Sequence, residues 1–384
     1  MSRLEELIKE LCPDGVEYSK IGTYVDYKQP TKYIVKSTDY NNDFPTPVLT
    51  AGQTFILGYT NEKEGIYNAS KESPVIIFDD FTGAFKWVDF NFKVKSSAMK
   101  ILTAKNNMLI RYLFHCMGYL NFTSNEHKRL WIGTYSDFEI PVPPLEIQRE
   151  IVRILDNFTS LKAELQAELQ ARKKQYEYYR NRLLTFGNDI KVVSLSEIAD
   201  IGTGNSNTNE GLTQGKYPFY VRSPEPLWKN EYEYDETAII TAGDGVGVGK
   251  VFHYVEGKYA LHQRAYRIHI KSNDVLPRYY YHYMRTAFLP YIKSTMFQGS
   301  VASIRRPMLN KFPVPIPSLD VQQRLVNVLD NFEKICSDLN IGLPAEIEAR
   351  QKQYEYYRDA LLSFDNSYFV NVERERERER ERER

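Results

Sequence analysis

The stretch PPLEIQREIVRILDNF at 143–158 decides the fold, because it returns as PSLDVQQRLVNVLDNF at 317–332. A second shared phrase, QYEYYR, follows each copy, at 175–180 and again at 353–358. The distance between the two phrases is four residues longer in the second copy. A chain that carries one long segment twice, each time after a larger and different segment, is predicted to have approximate internal two-fold symmetry.

The segments in front of the two copies follow one plan and predict an α+β fold. EYSKIGTYVDY at 17–27 aligns with VVSLSEIADI at 192–201, and IRYLFHCM at 110–117 aligns with PRYYYHYM at 277–284. Short apolar or β-branched runs between these points are typical of strands. The predicted strands are VIIF at 75–78, FKVK at 92–95, AMKIL at 98–102, TAIITAG at 237–243 and AYRIHI at 265–270, and helices are predicted near the N-terminus and at 107–121.

The repeat defines five consecutive regions. The two strand-rich mixed domains alternate with the two helical regions, and a low-complexity tail follows. The predicted regions are 1–142 (an N-terminal helix and the first mixed domain), 143–187 (the first helical region), 188–317 (the second mixed domain), 318–365 (the second helical region) and 366–384 (the tail with its Glu-Arg repeat). The alternating Glu and Arg codons also suggest a slippage-prone tract in the gene.

Both helical regions carry a long apolar stripe. In the first, apolar residues from Ile151 to Leu183 recur at spacings near three and four, and the second shows the same pattern from Leu325 to Leu361. One small domain cannot bury a stripe of this length. We therefore expect the two helices to pack antiparallel as a coiled coil that gives the chain its pseudo-two-fold symmetry.

The four extra residues of the second helical region fall within DLNIGLPAEIEAR at 338–350. Gly342 and Pro344 in this segment are predicted to break or kink the helix. The first helical region instead contains a tandem unit, AELQ-AELQ, at 163–170. Gain or loss of one such unit would change the helix length by about 6 Å.

Composition places the chain among soluble cytosolic proteins. The 384 residues include 50 basic and 50 acidic side chains, which argues against a protein that holds nucleic acid mainly by bulk charge. Its three cysteines lie far apart, and no apolar run is long enough to cross a membrane. The 29 tyrosines suit wet surfaces, although ordinary packing explains most of them.

The usual catalytic constellations are absent from the sequence. TAGDGVGVGK at 241–250 lacks the first glycine and the final Ser or Thr of a phosphate loop, so a strand-turn-strand with glycines at positive φ is favoured. The six histidines show no metal-ligand spacing, and His262 and His269 are interpreted as structural. Asp79 and Asp80 are interpreted as a turn or a polar contact. We expect a chain that recognises a partner, not an enzyme, with no metal site.

Taken together, the duplicated blocks, the KKQYEYYR phrase, the AELQ unit and the LCPDGVEY opening at 11–18 resemble the specificity (S) subunits of type I restriction–modification systems. The resemblance covers essentially the full length. The Gly-Leu-Pro break and the Glu-Arg tail depart from the family pattern.

The resemblance implies two target-recognition domains, each reading one half of a bipartite, asymmetric DNA sequence, with the paired helices fixing the spacer between them. It implies double-stranded DNA, two methyltransferase (M) subunits and restriction (R) subunits as partners. No cofactor would be bound by this chain. S-adenosylmethionine would serve the M partner's adenine methylation, and ATP and Mg would serve the R partner.

Direct reading of bases requires Arg, Lys, Asn, Gln, Ser or Thr side chains that reach base edges. In the first domain the candidates are Thr50, Gln53, Thr82, Lys86, Trp87, His127, Lys128 and Arg129. In the second they are Asn205, Asn207, Arg222, Lys250, Gln263, Arg264, Gln298, Ser300, Arg305 and Arg306.

A non-catalytic coiled-coil scaffold that bridges protein partners without contacting DNA is the alternative. The neutral net charge favours it. The divergence of the two middle segments favours recognition, because a symmetric scaffold has little reason to diversify its two heads.

Overall fold

The computed structural model describes residues 3–52, 54–105, 107–124, 128–295 and 303–364. The chain divides into two compact units: unit 1 is Met1–Glu164 with Ile347–Arg384, and unit 2 is Leu165–Glu346. Each unit therefore combines one strand-rich segment with part of both helical regions. The Glu-Arg tail lies outside the described residues.

Unit 1 contains a four-stranded antiparallel sheet, a three-stranded sheet and a two-stranded ladder. Their strand orders are β2-β8-β5-β6, β4-β3-β7 and β1-β9. The elements are α1 (Arg3–Leu11), β1 (Tyr18–Lys20), α2 (Ile21–Tyr24), β2 (Val25–Lys28), β3 (Thr46–Leu49), β4 (Ile56–Thr60), β5 (Val75–Asp79), β6 (Phe85–Val88), β7 (Lys93–Val94), β8 (Met99–Ala104), α3 (Ile110–Leu120), β9 (Glu139–Pro141) and the start of α4 (Leu145–Leu183), with 3-10 turns at Pro30–Tyr33 and Tyr135–Asp137.

Unit 2 contains the sheets β11-β18-β15-β16 and β13-β12-β17-β14 and the ladder β10-β19. The elements are the end of α4, β10 (Val192–Ser194), α5 (Leu195–Ile198), β11 (Ala199–Thr203), β12 (Tyr217–Tyr220), β13 (Leu227–Lys229), β14 (Tyr234–Asp235), β15 (Ala238–Ala242), β16 (Phe252–Val255), β17 (Lys258–Leu261), β18 (Ala265–Ile270), α6 (Pro277–Thr295), α7 (Arg306–Asn310), β19 (Pro313–Pro315), α8 (Leu319–Ser337) and the first turn of α9 (Leu343–Ser363), with a 3-10 turn at Thr208–Glu210.

The two units repeat one plan. The order β2-β8-β5-β6 in unit 1 corresponds to β11-β18-β15-β16 in unit 2, strand by strand in chain order. In both, a short helix follows the first ladder strand, and a longer helix follows the last sheet strand. The alignment of the sequence segments in front of the two helical regions is thus confirmed, as are the predicted strands and the α+β class.

Strand β5 shows how a short apolar run creates two cores. Alternate residues of a strand point to opposite faces of the sheet. Ile76 and Phe78 pack in the cluster that includes α3, whereas Val75 and Ile77 pack in the cluster formed with β3 and β7. All four are buried, and full burial of such a side chain contributes roughly 1.5–3 kcal/mol.

A buried glutamine stands near the start of each helical region. The Gln148 amide nitrogen donates to the carbonyls of Asn107 at 2.9 Å and Pro143 at 2.8 Å, and its oxygen accepts the Leu109 N–H at 2.9 Å. Gln322 repeats these contacts with the carbonyls of Asp274 at 2.7 Å and Pro317 at 2.8 Å and with the Leu276 N–H at 2.9 Å. Each amide joins the loop before a long helix to the loop before α3 or α6.

An Arg-His-Asp contact then joins α3 to α4 in unit 1. Asp156 accepts from the Arg111 Nε at 2.8 Å and lies 3.0 Å from the His115 Nε2, while the His115 Nδ1 lies 3.0 Å from the Tyr354 hydroxyl. Burial lowers the pKa of His115, which favours the neutral imidazole even though Asp156 opposes the shift. The histidine is structural.

Unit 2 repeats the contact with one difference. Asp330 accepts from Arg278 at 2.9 Å and lies 2.7 Å from the His282 Nε2. Tyr176 corresponds in sequence to Tyr354. Its buried hydroxyl and the buried His282 Nδ1, however, have no hydrogen-bond partner among the residues that the structure describes.

The helices pack antiparallel within each unit. In unit 1, Phe158 of α4 stacks on Tyr357 of α9 with ring centroids 5.0 Å apart, and the Lys162 ammonium donates to the Gln351 side chain at 2.6 Å. In unit 2, Tyr176 of α4 lies 6.2 Å from Phe332 of α8 between ring centroids. No helix among the described residues is long and apolar enough to cross a membrane.

The second helical region is two helices, as the Gly-Leu-Pro segment predicted. Helix α8 ends at Ser337, and the Asp338 carboxylate accepts the N–H groups of Asn340 at 2.7 Å and Ile341 at 3.2 Å. Pro344 lies in the first turn of α9, where a missing N–H costs nothing, so it starts this helix and does not break it. Leu339, predicted to belong to the apolar stripe, is 73% exposed because it lies in the break.

Candidate nucleic-acid interface

The turn between β5 and β6 of unit 1, residues 80–84, presents the predicted residue Thr82. The Asp79 carboxylate accepts the N–H groups of Phe81 and Thr82, both at 2.9 Å, and closes the turn. Thr82 is exposed, and its hydroxyl accepts the Ala84 N–H at 3.3 Å. The interpretation of Asp79 as a turn residue is confirmed.

Asp80 is buried beneath this turn and organises the segment that carries Arg129. Its carboxylate pairs with the Lys100 ammonium at 3.0 Å, and each side chain is only 1% exposed. It also accepts the Trp131 N–H at 2.8 Å and lies 3.4 Å from Arg129, whose side chain is 58% exposed. A buried carboxylate thus fixes the backbone at 131 and places the Arg129 guanidinium at the surface.

The other candidates of unit 1 are more dispersed. The Thr50 hydroxyl donates to the Thr54 carbonyl at 2.7 Å and closes the turn between β3 and β4. Lys86 is half-buried on β6, and Lys128 is exposed. Gln53 and His127 lie outside the described residues.

Trp87 has a packing role in unit 1. Its ring lies 5.9 Å from the Phe114 ring between centroids, and the Arg111 guanidinium lies 4.7 Å above it. A ring packed on these two neighbours stabilises the contact between β6 and α3. The structure thus shows a packing role for Trp87, and its predicted contact with DNA stays a prediction.

In unit 2 the candidates converge on one carboxylate, that of Asp244. Its two oxygens accept from the guanidinium groups of Arg222 at 2.5 Å and Arg264 at 3.1 Å. The arginine side chains remain 38% and 62% exposed, respectively. Partial burial raises the pKa of Asp244, but the hydrogen bonds and charges of Arg222 and Arg264 outweigh it and hold the pKa below its usual range. The trio carries a net positive charge and is partly ordered in advance for an anionic ligand.

Asn205, Asn207 and Gln263 lie on neighbouring loops of the same unit. The Asn205 N–H donates to the Glu233 carboxylate at 2.9 Å, and the Asn207 N–H donates to Glu210 at 2.6 Å. The Gln263 amide nitrogen donates to the Asn207 side-chain oxygen. Acidic side chains hold the backbone, which leaves exposed amide groups on the surface.

Lys250 and Arg222 line one cavity of about 670 Å³, whose other lining includes Pro224 and Asp244. Arg305 and Arg306 are exposed at the start of α7, just after Ile304, whose N–H donates to the Gly243 carbonyl at 2.8 Å. Gln298 and Ser300 lie outside the described residues. Unit 2 thus brings its remaining candidates together around the turn 243–251 between β15 and β16.

The two turns are equivalent positions of one fold, and an aspartate organises basic side chains in each. Asp80 follows β5 and Asp244 follows β15, the matching strands of the matching sheets. The turn spans 80–84 in unit 1 but 243–251 in unit 2. Asp244 was not among the residues predicted from the sequence, because no acidic side chain was considered as part of a DNA-reading surface. The available signal was an aspartate within two residues of the end of a buried strand in both halves.

A second acidic network was also missed. Arg267 is 8% exposed and donates to Glu236 at 2.6 Å and to Asp200 at 2.9 Å. These hydrogen bonds raise the pKa of Arg267 further, so it is permanently charged. The Tyr259 hydroxyl donates to the same Glu236 at 2.8 Å. This network ties β18 to the start of β15 and supports the surface built on that sheet.

The His282, Asp330 and Glu333 side chains lie close enough together for their ligand atoms to surround a cation. The carboxylates already accept from other groups: Arg278 donates to both, and Arg285 donates to Glu333 at 2.6 Å. A cation would have to displace two guanidinium groups. The three side chains therefore belong to an ion-pair network that joins α6 to α8.

The sequence matches the family model of the type I restriction modification DNA specificity domain twice, over residues 13–172 and 187–349. Two such domains in one chain, each on a repeated α+β frame, define a specificity subunit. The chain belongs to the family of type I restriction–modification specificity subunits, a class of non-catalytic subunits.

Individual relatives agree with this assignment. The chain is 41% identical over 399 residues to the specificity subunit of the type I restriction enzyme EcoR124I/EcoR124II of Escherichia coli, covering 95% of this chain and 98% of the relative. The fold matches that of the S subunit of a type I restriction–modification system from M. genitalium, with a TM-score of 0.59, 14% identity and coverage of 90% and 96%. A chain from a structural study of type I system assembly and conformational transition gives a TM-score of 0.58 at 15% identity, with coverage of 92% and 98%.

Proposed function

We propose that this chain supplies the DNA sequence specificity of a type I restriction–modification complex. The domain within 1–142 reads one half of a bipartite, asymmetric target, and the domain within 188–317 reads the other. The proposal rests on a contrast between the repeated sheets and helices, which are alike in the two units, and the turns that they carry, which differ. The glutamine and Arg-His-Asp contacts repeat in both units, whereas the turns after β5 and β15 differ in length and composition.

Recognition of different sequences by the two domains follows from this contrast. Base readout depends on which side chains reach the groove, while the frame only positions them. Unit 2 presents Arg222 and Arg264 around Asp244, whereas unit 1 presents Arg129 from a different loop around Asp80. Two halves with different readers require an asymmetric target.

The proposed partners are double-stranded DNA, two M subunits docked on the exposed sides of the helices, and R subunits. The chain itself binds no cofactor in this proposal. S-adenosylmethionine would be used by the M partner, which flips the target adenine for N6 methylation, and ATP and Mg by the R partner.

Genome-wide mapping of N6-methyladenine after co-expression with the M partner tests the proposal. The expected result is a motif of two short, different halves around an unread gap. A soluble complex that methylates without sequence preference, or only at one contiguous site, would overturn it. Gel shifts with and without the M partner separate this function from a scaffold that never contacts DNA.

Replacement of Arg264 by alanine is expected to relax one position in only one of the two half-sites. Arg264 is exposed and held by a single carboxylate, and loss of an arginine contact to a base costs about 1–3 kcal/mol of binding free energy. The measurement is the methylation motif of the variant. Lys258→Ala, which removes an exposed cation at the start of β17 of the same unit, is the matched control and should leave both half-sites intact. Relaxation of both halves by Arg264→Ala would contradict the modular assignment.

Deletion of one AELQ unit, residues 167–170, is expected to shorten the unread gap while both half-sites stay the same. Four helical residues span about 6 Å, close to two base-pair steps of duplex. Methylation mapping of the deletion variant measures the gap directly. Glu168→Ala, which keeps the helix length, serves as the control. An unchanged gap would show that the helices do not set the spacer.

A further inference from the structure

The turn 243–251 of unit 2 carries an apolar side chain at its most exposed point. Val246 is 94% exposed, the highest value for a large apolar side chain among the residues that the structure describes. Its neighbours Val248 and Val251 are buried, at 4% and 7% exposure. Two of the three valines of the turn are therefore buried, and one points into solvent.

Hydrogen bonds and close packing hold the backbone of this turn in one conformation. The Gly243 N–H donates to the Arg264 carbonyl at 2.9 Å, and the N–H groups of Lys250 and Val251 donate to the Gly247 carbonyl at 3.0 and 2.9 Å. Gly245 adopts a φ of 80°, and a Cβ added at Gly247 would lie 2.5 Å from the Arg222 carbonyl. Close packing of this kind requires glycine and presents Val246 in a defined position.

Positively charged side chains share the surface that carries the outward valine. Val246 lines one cavity together with Arg222 and Lys250. Arg264, on the loop before β18, shares Asp244 with Arg222, and this carboxylate balances only one of the three positive charges. Positive groups of this kind contact phosphates or guanine edges in DNA. An apolar side chain among them suits the one apolar group in the major groove, the C5-methyl group of thymine.

We infer that Val246 reads a thymine by contact with its C5-methyl group, within the half-site recognised by unit 2. The inference rests on the proposed function, since it assumes that this surface meets DNA. A wedge between base pairs is disfavoured, because wedges use longer side chains such as Phe, Leu, Ile or Met. Valine is short and branched, and its methyl groups can pack against a single methyl group.

The test uses the purified complex with its M subunits and synthetic duplexes of the mapped target. Each thymine of both half-sites is replaced in turn by deoxyuridine, which lacks only the methyl group. Wild-type complex is expected to bind one uridine duplex roughly 3- to 10-fold more weakly, as burial of one methyl group predicts. Val246→Ala should bind that duplex and its thymine parent with nearly equal affinity.

Two controls test whether the effect is specific to Val246 and whether the variant is folded. Val192→Ala removes another exposed valine of unit 2, on β10, and should keep the wild-type sensitivity to uridine. Thermal unfolding should show that Val246→Ala folds normally, since the side chain has almost no contacts to lose.

Three results would overturn the inference. The first is a target whose half-sites contain no thymine sensitive to the exchange, the second is full sensitivity retained in Val246→Ala, and the third is loss of M-subunit binding in that variant. A complex that binds no specific sequence at all would instead overturn the proposed function, and the inference with it. Mapping of the target precedes the uridine series, so the two failures are distinguishable.

Discussion

Replacing Asp80 with alanine is expected to lower the free energy of unfolding of unit 1 by about 3–5 kcal/mol, because it leaves the Lys100 ammonium charged and buried without a partner. The variant also loses the acceptor of the Trp131 N–H. Denaturant unfolding of the chain, followed by tryptophan fluorescence, measures the effect, since all three tryptophans of the sequence are Trp87, Trp131 and Trp228 and two of them lie in unit 1.

The neighbouring residue provides a matched control. Asp79→Ala removes a carboxylate that accepts two N–H groups in a partly exposed turn, for which a loss of about 1 kcal/mol is expected. The double variant Asp80→Leu, Lys100→Met should recover much of the stability, because replacing both members of a buried pair with apolar side chains avoids the unpaired charge. Equal destabilisation by Asp80→Ala and Asp79→Ala would show that the buried pair is not important.

Gln148→Ala and Gln322→Ala are each expected to destabilise their own unit by about 3–5 kcal/mol. Each change removes three hydrogen bonds and leaves buried carbonyl and N–H groups without partners. Hydrogen exchange resolved by peptide is the suitable measurement, because it reports on the two units separately.

One glutamate variant and one alanine control make this prediction more specific. Gln148→Glu keeps the shape of the side chain but directs a carboxylate oxygen at two carbonyl oxygens, so it should be at least as harmful as alanine. Gln323→Ala, next to Gln322 but exposed and hydrogen-bonded to Asn327, should change stability by less than about 0.5 kcal/mol. A harmless Gln148→Glu would show that the amide donor is not needed.

Much of the frame was predictable from sequence because it is repeated locally. One alignment of the two repeats places Gln148 opposite Gln322 and the first Asp-Asn-Phe triplet opposite the second. The glycine-rich turn before Lys250 follows from the rule that glycine supplies positive φ, and Gly245 and Gly249 have φ of 80° and 69°.

The surface could not be predicted in the same way. Asp244 meets Arg222 and Arg264 only because β15 pairs with β18 and the loop after β12 reaches the same turn. Nothing in the local sequence separates Trp87, which packs on Phe114, from a tryptophan free to stack on a base. Contacts between distant segments decide such cases, and periodicity carries no information about them.

Unit 1 is built from two separate segments of the chain, and this affects how it can fold during synthesis on the ribosome. Unit 2 is one continuous stretch, whereas the core of unit 1 includes Leu361 and Leu362 beside Leu4. Since domains begin to fold as they emerge, unit 2 can complete its core while residues 347–364 are still being made. Unit 1 is therefore the first unit to begin synthesis and the last to be completed. While unit 2 is being synthesised, residues 1–164 lack residues 347–364, and the apolar surface that these residues cover stays exposed. Chaperone dependence should therefore concentrate in the half that is translated earliest.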